Sequence, residues 1–146
     1  MLKLSKLTDY AIILLSALSK DSTQSYSASA LAAKTHIPEP TTAKILKMLS
    51  SGGLVLSIRG AHGGYKAIGS YEDTPLTRII EVMEGDIALT DCAINANHNC
   101  SIKESCPLEG AWSDVNKLLY ETLSGVSLAS LLNKAQIRPT EIRDVI

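Results

Sequence analysis

Residues Ser27 to Ile68 read SASALAAKTHIPEPTTAKILKMLSSGGLVLSIRGAHGGYKAI, two short helical patterns followed at once by two short strand patterns. Ser27 is a good N-cap for the first helix, which sets Ala28, Leu31 and Ala32 on one side and is ended by Pro38. Pro40 lies at the first turn of the next helix, with Ile45, Leu46 and Leu49 turned inward and Gly52-Gly53 as its stop. Thr41, Thr42, Lys44 and Lys47 are then expected on its exposed side. Two helices joined by a tight turn in this way make a helix-turn-helix pattern. In the next segment Leu54, Leu56 and Ile58 alternate with Val55, Ser57 and Arg59, a strand pattern, and YKAI from Tyr65 supplies a return strand. Gly60, Gly63 and Gly64 permit the positive backbone angles of the connecting loop. Helix-turn-helix followed by a hairpin is the order of a winged helix. Arg59 and His62 sit on or beside the wing, where a slim cationic tip reaches phosphate or the minor groove. The expected DNA-binding set is Ser27, Pro40, Thr41, Thr42, Lys44, Lys47, Arg59, Gly60 and His62.

Working outward, Ala11, Ile12, Leu14, Leu15 and Leu18 recur at helical spacing between Thr8 and Leu18. Beyond the wing, TPLTRIIEVMEG predicts a helix with Thr74 as N-cap, Pro75 as first helical residue, Leu76, Ile79, Ile80 and Met83 as buried stripe, and Gly85 as stop. A polar, Asn-rich loop follows. From about Pro107 to Ser124, Trp112, Val115, Leu119 and Leu123 trace a stripe along a longer helix, and VSLASLLNK after Gly125 predicts a short one. A long C-terminal helix beside a small DNA-binding domain suits a dimer interface, and a dimer suits a two-fold operator. The predicted fold is therefore mainly α, a winged helix-turn-helix with a two-stranded wing, a cysteine loop and a dimerisation helix. The predicted division is 1–72 for DNA binding, 73–133 for linker helix, cysteine loop and dimer helix, and 134–146 as a tail without periodicity.

A chain of 146 residues with 45% hydrophobic side chains buries a core without disulfides, and with no Phe that core is aliphatic. The apolar start MLKLSKLTDYAIILLSAL is broken by Asp9 and Tyr10 and has no cleavage pattern, so a soluble cytoplasmic protein without membrane segment is expected. The net charge of −1 hides an asymmetry. Residues 30–71 carry Lys34, Lys44, Lys47, Arg59 and Lys66 against Glu39 alone, whereas residues 72–109 carry eight acidic side chains against Arg78 and Lys103. A basic binding face in the first half and an acidic region around the cysteines follow.

All three cysteines, Cys92, Cys100 and Cys106, lie in DCAINANHNCSIKESCPLEG. In a reducing compartment clustered thiols point to metal binding or redox sensing rather than to a structural disulfide. The spacing lacks the close pairs of a zinc knuckle and the tight run of a bacterial ferredoxin, yet its loops can wrap a cluster and leave one coordination position for another residue. Glu109, His98 and Asp9 are the candidates, Asp9 from elsewhere in the fold or from a partner subunit. No nucleophile elbow or paired catalytic motif appears, so an enzyme is not expected. A thiol or zinc switch using the same cysteines stays open beside a cluster.

The winged helix, RGAHGGY at Arg59–Tyr65, a Pro-started helix ending in EVMEGDIALTDC, three cysteines and a long helix together resemble the IscR/NsrR family of bacterial transcription regulators. LTDYAIILL, PEPTTAKILKML, GDIALTDC and CPLEGAWSDVNKLL are similar to the branch of SUF-system iron-sulfur assembly regulators. The resemblance implies a homodimer on a palindromic promoter site, acting as a repressor of cluster-assembly genes. It also implies an iron-sulfur cluster on Cys92, Cys100 and Cys106, a [2Fe-2S] cluster first and a [4Fe-4S] cluster second. Where relatives carry a histidine ligand three positions after the last cysteine, this chain has Glu109. In nitric-oxide-sensing relatives an aspartate early in the first helix ligates the partner's cluster, and Asp9 matches it. Ala43 stands where the ISC-system regulator has a glutamate that tunes DNA preference, so operator sequence does not carry over.

Overall fold

In a computed structural model of the chain, the described residues are 3–19, 22–60, 63–68, 71, 74–94 and 100–133. Seven helices and one hairpin are assigned among them: α1 Lys6–Ser19, α2 Ala28–Thr35, α3 Glu39–Ser51, β1 Val55–Ile58, β2 Gly64–Ala67, α4 Leu76–Glu84, α5 Asp91–Ile94, α6 Ala111–Ser124 and α7 Leu128–Leu132. The fold is the expected one, mainly helical with a two-stranded antiparallel wing.

The core is aliphatic. Leu14, Leu15 and Leu18 of α1 pack with Leu31 of α2, Ile45, Leu46 and Leu49 of α3, Val55 of β1, Ile79 and Met83 of α4 and Leu128 of α7. Residues from both sides of the 72/73 boundary thus contribute to one core. Its helices are held close by small residues and polar caps. At Gly52 an added Cβ would come within 2.4 Å of Val82 on α4, and Arg78 Nη2 donates to the Gly52 carbonyl at the end of α3 at 2.7 Å.

One expectation is corrected here. Thr74 does not cap α4; Pro75 is extended and the helix begins at Leu76. The backbone at 74–76 is taken by a tertiary pairing instead, with Leu128 N donating to Thr74 O at 2.9 Å and Leu76 N to Val126 O at 2.8 Å. On the wing, Leu56 and Ile58 are 48% and 39% exposed, and only Val55 of β1 turns to the core. The stripe on α6 also divides. Leu119 and Leu123 are half-buried, whereas Val115 and Leu118 are 46% and 62% exposed.

One contact had no local signal. The Glu84 carboxylate at the end of α4 accepts from the Thr8 hydroxyl and from Ser5 N at 2.7 Å, at the N-terminal turn of α1. There the exposed N–H groups and helix dipole favour an anion. The Thr8 hydrogen bond, opposed by partial burial and aided by the Ser5 N–H and hydroxyl, holds the Glu84 carboxyl below the usual carboxylate range. A lowered folded-state pKa means stability that is present above the ordinary carboxylate value and is lost as pH falls through the lowered one. Glu84→Gln is therefore expected to lower the thermal midpoint by roughly 2–4 °C at pH 7, solvent screening keeping the effect small. The gap to wild type should close towards pH 3 in melts followed by circular dichroism; a gap constant with pH would contradict the assignment.

Candidate nucleic-acid interface and cysteine cavity

The DNA-reading unit is built from local signals. Ser27 Oγ accepts from Ala30 N at 3.1 Å and starts α2. His36, with φ 58°, ends α2 in the left-handed region, after which Ile37 is buried and Pro38 starts α3. On α3, Pro40, Lys44 and Lys47 are exposed and Thr41 is half-buried. Thr42 is corrected: it is fully buried, and its hydroxyl donates to the Ile37 carbonyl at 3.3 Å, so it fixes the turn between the helices and is unavailable to DNA. Arg59 and Gly60 are exposed at the end of β1, Gly60 with φ 113°; His62 lies outside the described residues.

The wing is joined to α2 by a seam. Tyr26 N donates to Tyr65 O at 2.9 Å and Tyr65 N to Tyr26 O at 2.8 Å, immediately before the Ser27 cap. Gly64 makes this approach possible, because a Cβ there would lie 2.5 Å from the Tyr26 carbonyl oxygen. The backbone pairing thus links the wing directly to the start of the helix-turn-helix. Arg59→Ala is expected to weaken duplex binding and to reduce the slope of log affinity against log salt by about one, since one phosphate-neutralising charge is removed. Titrations at several salt concentrations, read by fluorescence anisotropy, test it; an unchanged slope would mean that the wing tip stays off the backbone.

The three thiols face one cavity between α5 and the start of α6. Cys92, Cys100 and Cys106 are half-buried, free, and line one cavity of about 280 Å³ with Lys103, Leu108, Glu109 and Trp112. Cys92 stands on α5, its Sγ 3.2 Å from Thr90 Oγ1. Cys100 and Cys106 bracket a 3-10 turn, Lys103–Ser105, tied by Lys103 N to Cys100 O at 3.2 Å and Cys106 N to Lys103 O at 3.3 Å. Asp9 is exposed on α1 in a separate groove with Lys3, Leu4, Ser5, Lys6 and Ile12, so within one chain it does not reach the thiols. His98 lies outside the described residues. Among the described residues no three His, Cys, Asp or Glu side chains stand close enough to hold a metal ion. The donor chemistry and the shared cavity suit an iron-sulfur cluster, and ligation requires the thiols to draw together.

A family model named Rrf2 and described as "Iron-dependent Transcriptional regulator" matches residues 4–134. The chain belongs to the Rrf2 family. Protein rrf2 of Nitratidesulfovibrio vulgaris strain Hildenborough is 29% identical over 96 residues, 66% of this chain and 63% of its own length. The HTH-type transcriptional regulator IscR of Erwinia tasmaniensis is 26% identical over 94 residues, 64% of this chain and 56% of its own length. The chain spans less than two thirds of Protein rrf2 and of an Azotobacter vinelandii relative, 63% and 57% of their lengths. Among solved structures, T. potens IscR superposes with TM-score 0.61 at 27% identity, covering 92% of this chain and 89% of that one. CymR of B. subtilis, described as the global cysteine regulator, gives 0.64 at 24%, covering 92% and 98%. The family model and the Erwinia tasmaniensis relative are described as transcriptional regulators, and this Rrf2 chain has the winged-helix fold of the solved relatives. Among its described residues no helix is long and apolar enough to cross a membrane.

Proposed function

We propose that this Rrf2 regulator senses iron-sulfur cluster status as a homodimer and controls genes for cluster assembly from a palindromic promoter site. The observation that carries the reading is the convergence of Cys92, Cys100 and Cys106 on one cavity at the start of α6. Likeness to T. potens IscR supports the same direction. The cluster is held by the three thiolates, with Glu109 of the same chain or Asp9 of the partner subunit as fourth ligand, and a [2Fe-2S] or [4Fe-4S] unit suits the donor set. When bound it supplies an occupancy that responds to iron supply, oxidants or nitric oxide.

The chain's own residues turn occupancy into DNA affinity. Drawing Cys92 on α5 towards Cys106 moves α5 against α6, on which it packs. Tyr120 of α6 donates to Glu81 of α4 at 3.0 Å, and Arg78 one turn earlier on α4 caps the end of α3. A shift of α6 thus reaches the recognition helix through α4. The exposed Val115 and Leu118 of α6 are the surface for the second copy, which sets the spacing of the two reading heads. A coupling of about 1–3 kcal/mol changes DNA affinity by roughly 5- to 150-fold.

The test is anaerobic reconstitution with iron and sulfide, reading the visible spectrum and the iron and sulfide per chain. Duplex selection from a random pool then follows, with loaded and cluster-free protein side by side. A brown protein with stoichiometric iron and state-dependent selection is expected. A colourless protein that retains zinc, or no metal, transfers the cysteines to the thiol or zinc switch.

A further inference from the structure

Asn116 lies in the middle of α6, one turn beyond Trp112 and facing the segment that leads into α5. Asparagine is a poor helix-interior residue, because its amide competes for backbone groups. Here both ends of the amide are engaged outside the helix. Nδ2 donates to the Ile87 carbonyl at 3.0 Å, and Oδ1 accepts from Leu89 N at 3.1 Å. Residues 87 and 89 are irregular backbone between α4 and α5, so no ladder supplies these two groups with partners. Immediately after Leu89, Thr90 starts α5 through its carbonyl, which accepts from Ala93 N at 3.0 Å. The Thr90 hydroxyl also lies 3.2 Å from Cys92 Sγ. The same turn of α6 carries Trp112 and Ser113 into the cavity wall beside Cys106.

We infer that Asn116 is the positioning residue of the cysteine site: by clamping Ile87 and Leu89 it sets the origin of α5 and so fixes Cys92 relative to Cys106 at the start of α6. The role in cluster retention rests on the reading proposed above, whereas the placement of Cys92 does not. The clamp supplies the hydrogen bonds that tie residues 87 and 89 to α6, and α5, only four residues long, cannot hold its own position without such a support. Without the clamp Cys92 leaves the cavity more often.

The full-length cluster-free protein tests this through its thiols. Wild type, Asn116→Ala and Tyr120→Phe are treated with iodoacetamide, and labelling of each cysteine is followed by peptide mass spectrometry. Tyr120→Phe removes a hydrogen bond from the same helix at a distance from the thiols, and so controls for loosened packing. Loss of both amide hydrogen bonds in Asn116→Ala is expected to raise Cys92 labelling about tenfold, with Cys100 and Cys106 changed less than about twofold and Tyr120→Phe like wild type. After anaerobic reconstitution, the visible chromophore of Asn116→Ala should bleach about tenfold faster in a ferrous chelator. Unchanged Cys92 labelling, or an equal rise at all three cysteines, overturns the inference. If Asn116→Ala does not fold, Asn116→Asp keeps the acceptor for Leu89 N and loses the donor to Ile87; about threefold faster labelling of Cys92 is then expected, and none overturns it. A wild type that takes up no iron overturns the cluster reading, while the labelling ratios still decide the role of Asn116.

Discussion

Cys92→Ala is expected to take up no cluster under conditions that load the wild type, with a cluster-free thermal midpoint within about 2 °C of wild type. The two halves of the expectation come from different properties of the same side chain. Structurally Cys92 is a half-buried thiol on a four-residue helix, with the Thr90 hydroxyl as a hydrogen-bonding neighbour. Removing one sulfur there opens no closed cavity, so the cost stays within the roughly 0.5 kcal/mol usual for substitutions near the surface. Chemically it is one of only three thiolates in the chain. Iron-sulfur clusters depend on anionic sulfur for affinity, and neither Glu109 nor Thr90 replaces it. Losing an outer-shell partner costs a metal site about 10–100-fold, and losing a direct thiolate should exceed that. Cys106→Ala should behave alike, whereas Glu109→Ala should keep part of the chromophore if the partner subunit's Asp9 completes the site. Iron and sulfide per chain, the visible spectrum and melts of the cluster-free forms give all the needed readings. Full chromophore in Cys92→Ala would remove this cysteine from the site.

The winged helix was legible because its punctuation is local. Ser27, Pro40 and Gly52 each act on the backbone within a turn of themselves and stand at the helix end expected of them. Pro38, expected to end α2, instead precedes α3 as its N-cap, because His36 in the left-handed region already ends α2. What escaped depends on partners far along the chain. The Tyr26 seam and the pairing of 74–76 with 126–128 are backbone contacts between separate segments, and backbone pairing leaves no mark in side-chain type. Thr42 is a different case. It falls three and four residues before Ile45 and Leu46, on the buried face of α3, and the period alone would have placed it there had its hydroxyl not suggested a DNA contact. A buried threonine is admissible when its hydroxyl finds a carbonyl, as it does at Ile37. Asn116 also left a trace, an amide in mid-helix among Val115, Leu118 and Leu119, but its two partners lie 27 and 29 residues away. For the cysteines, spacing indicated a shared site, while the choice of fourth ligand depends on geometry that spacing does not contain.

Leu128→Ala is expected to destabilise the whole domain by about 2–5 kcal/mol, lowering the thermal midpoint by roughly 10 °C. Leu128 is fully buried on a five-residue helix that could not persist alone, and it packs in the same core as Leu14, Leu18 and Ile79. Truncating it leaves a void among side chains that α1 and α4 cannot close without giving up the backbone pairing at Thr74 and Leu76. Leu118 on α6 is the counterpart, 62% exposed on the same C-terminal segment. Leu118→Ala should change the stability of a monomer by no more than about 0.5 kcal/mol, whereas Leu118→Asp should break the proposed homodimer in sedimentation equilibrium. The two leucines divide the C-terminal segment into an anchor in the core and an exposed residue on the proposed interface. The segment after α6 is tied to the core by Leu128 and the start of α6 stands at the cysteine cavity, so the proposed response to occupancy is a tilt of α6 rather than its detachment. In the proposed homodimer a tilt of that kind would carry occupancy at the thiols into the spacing of the two reading heads. A midpoint unaffected by Leu128→Ala would remove the anchor, and with it the reason for a tilt.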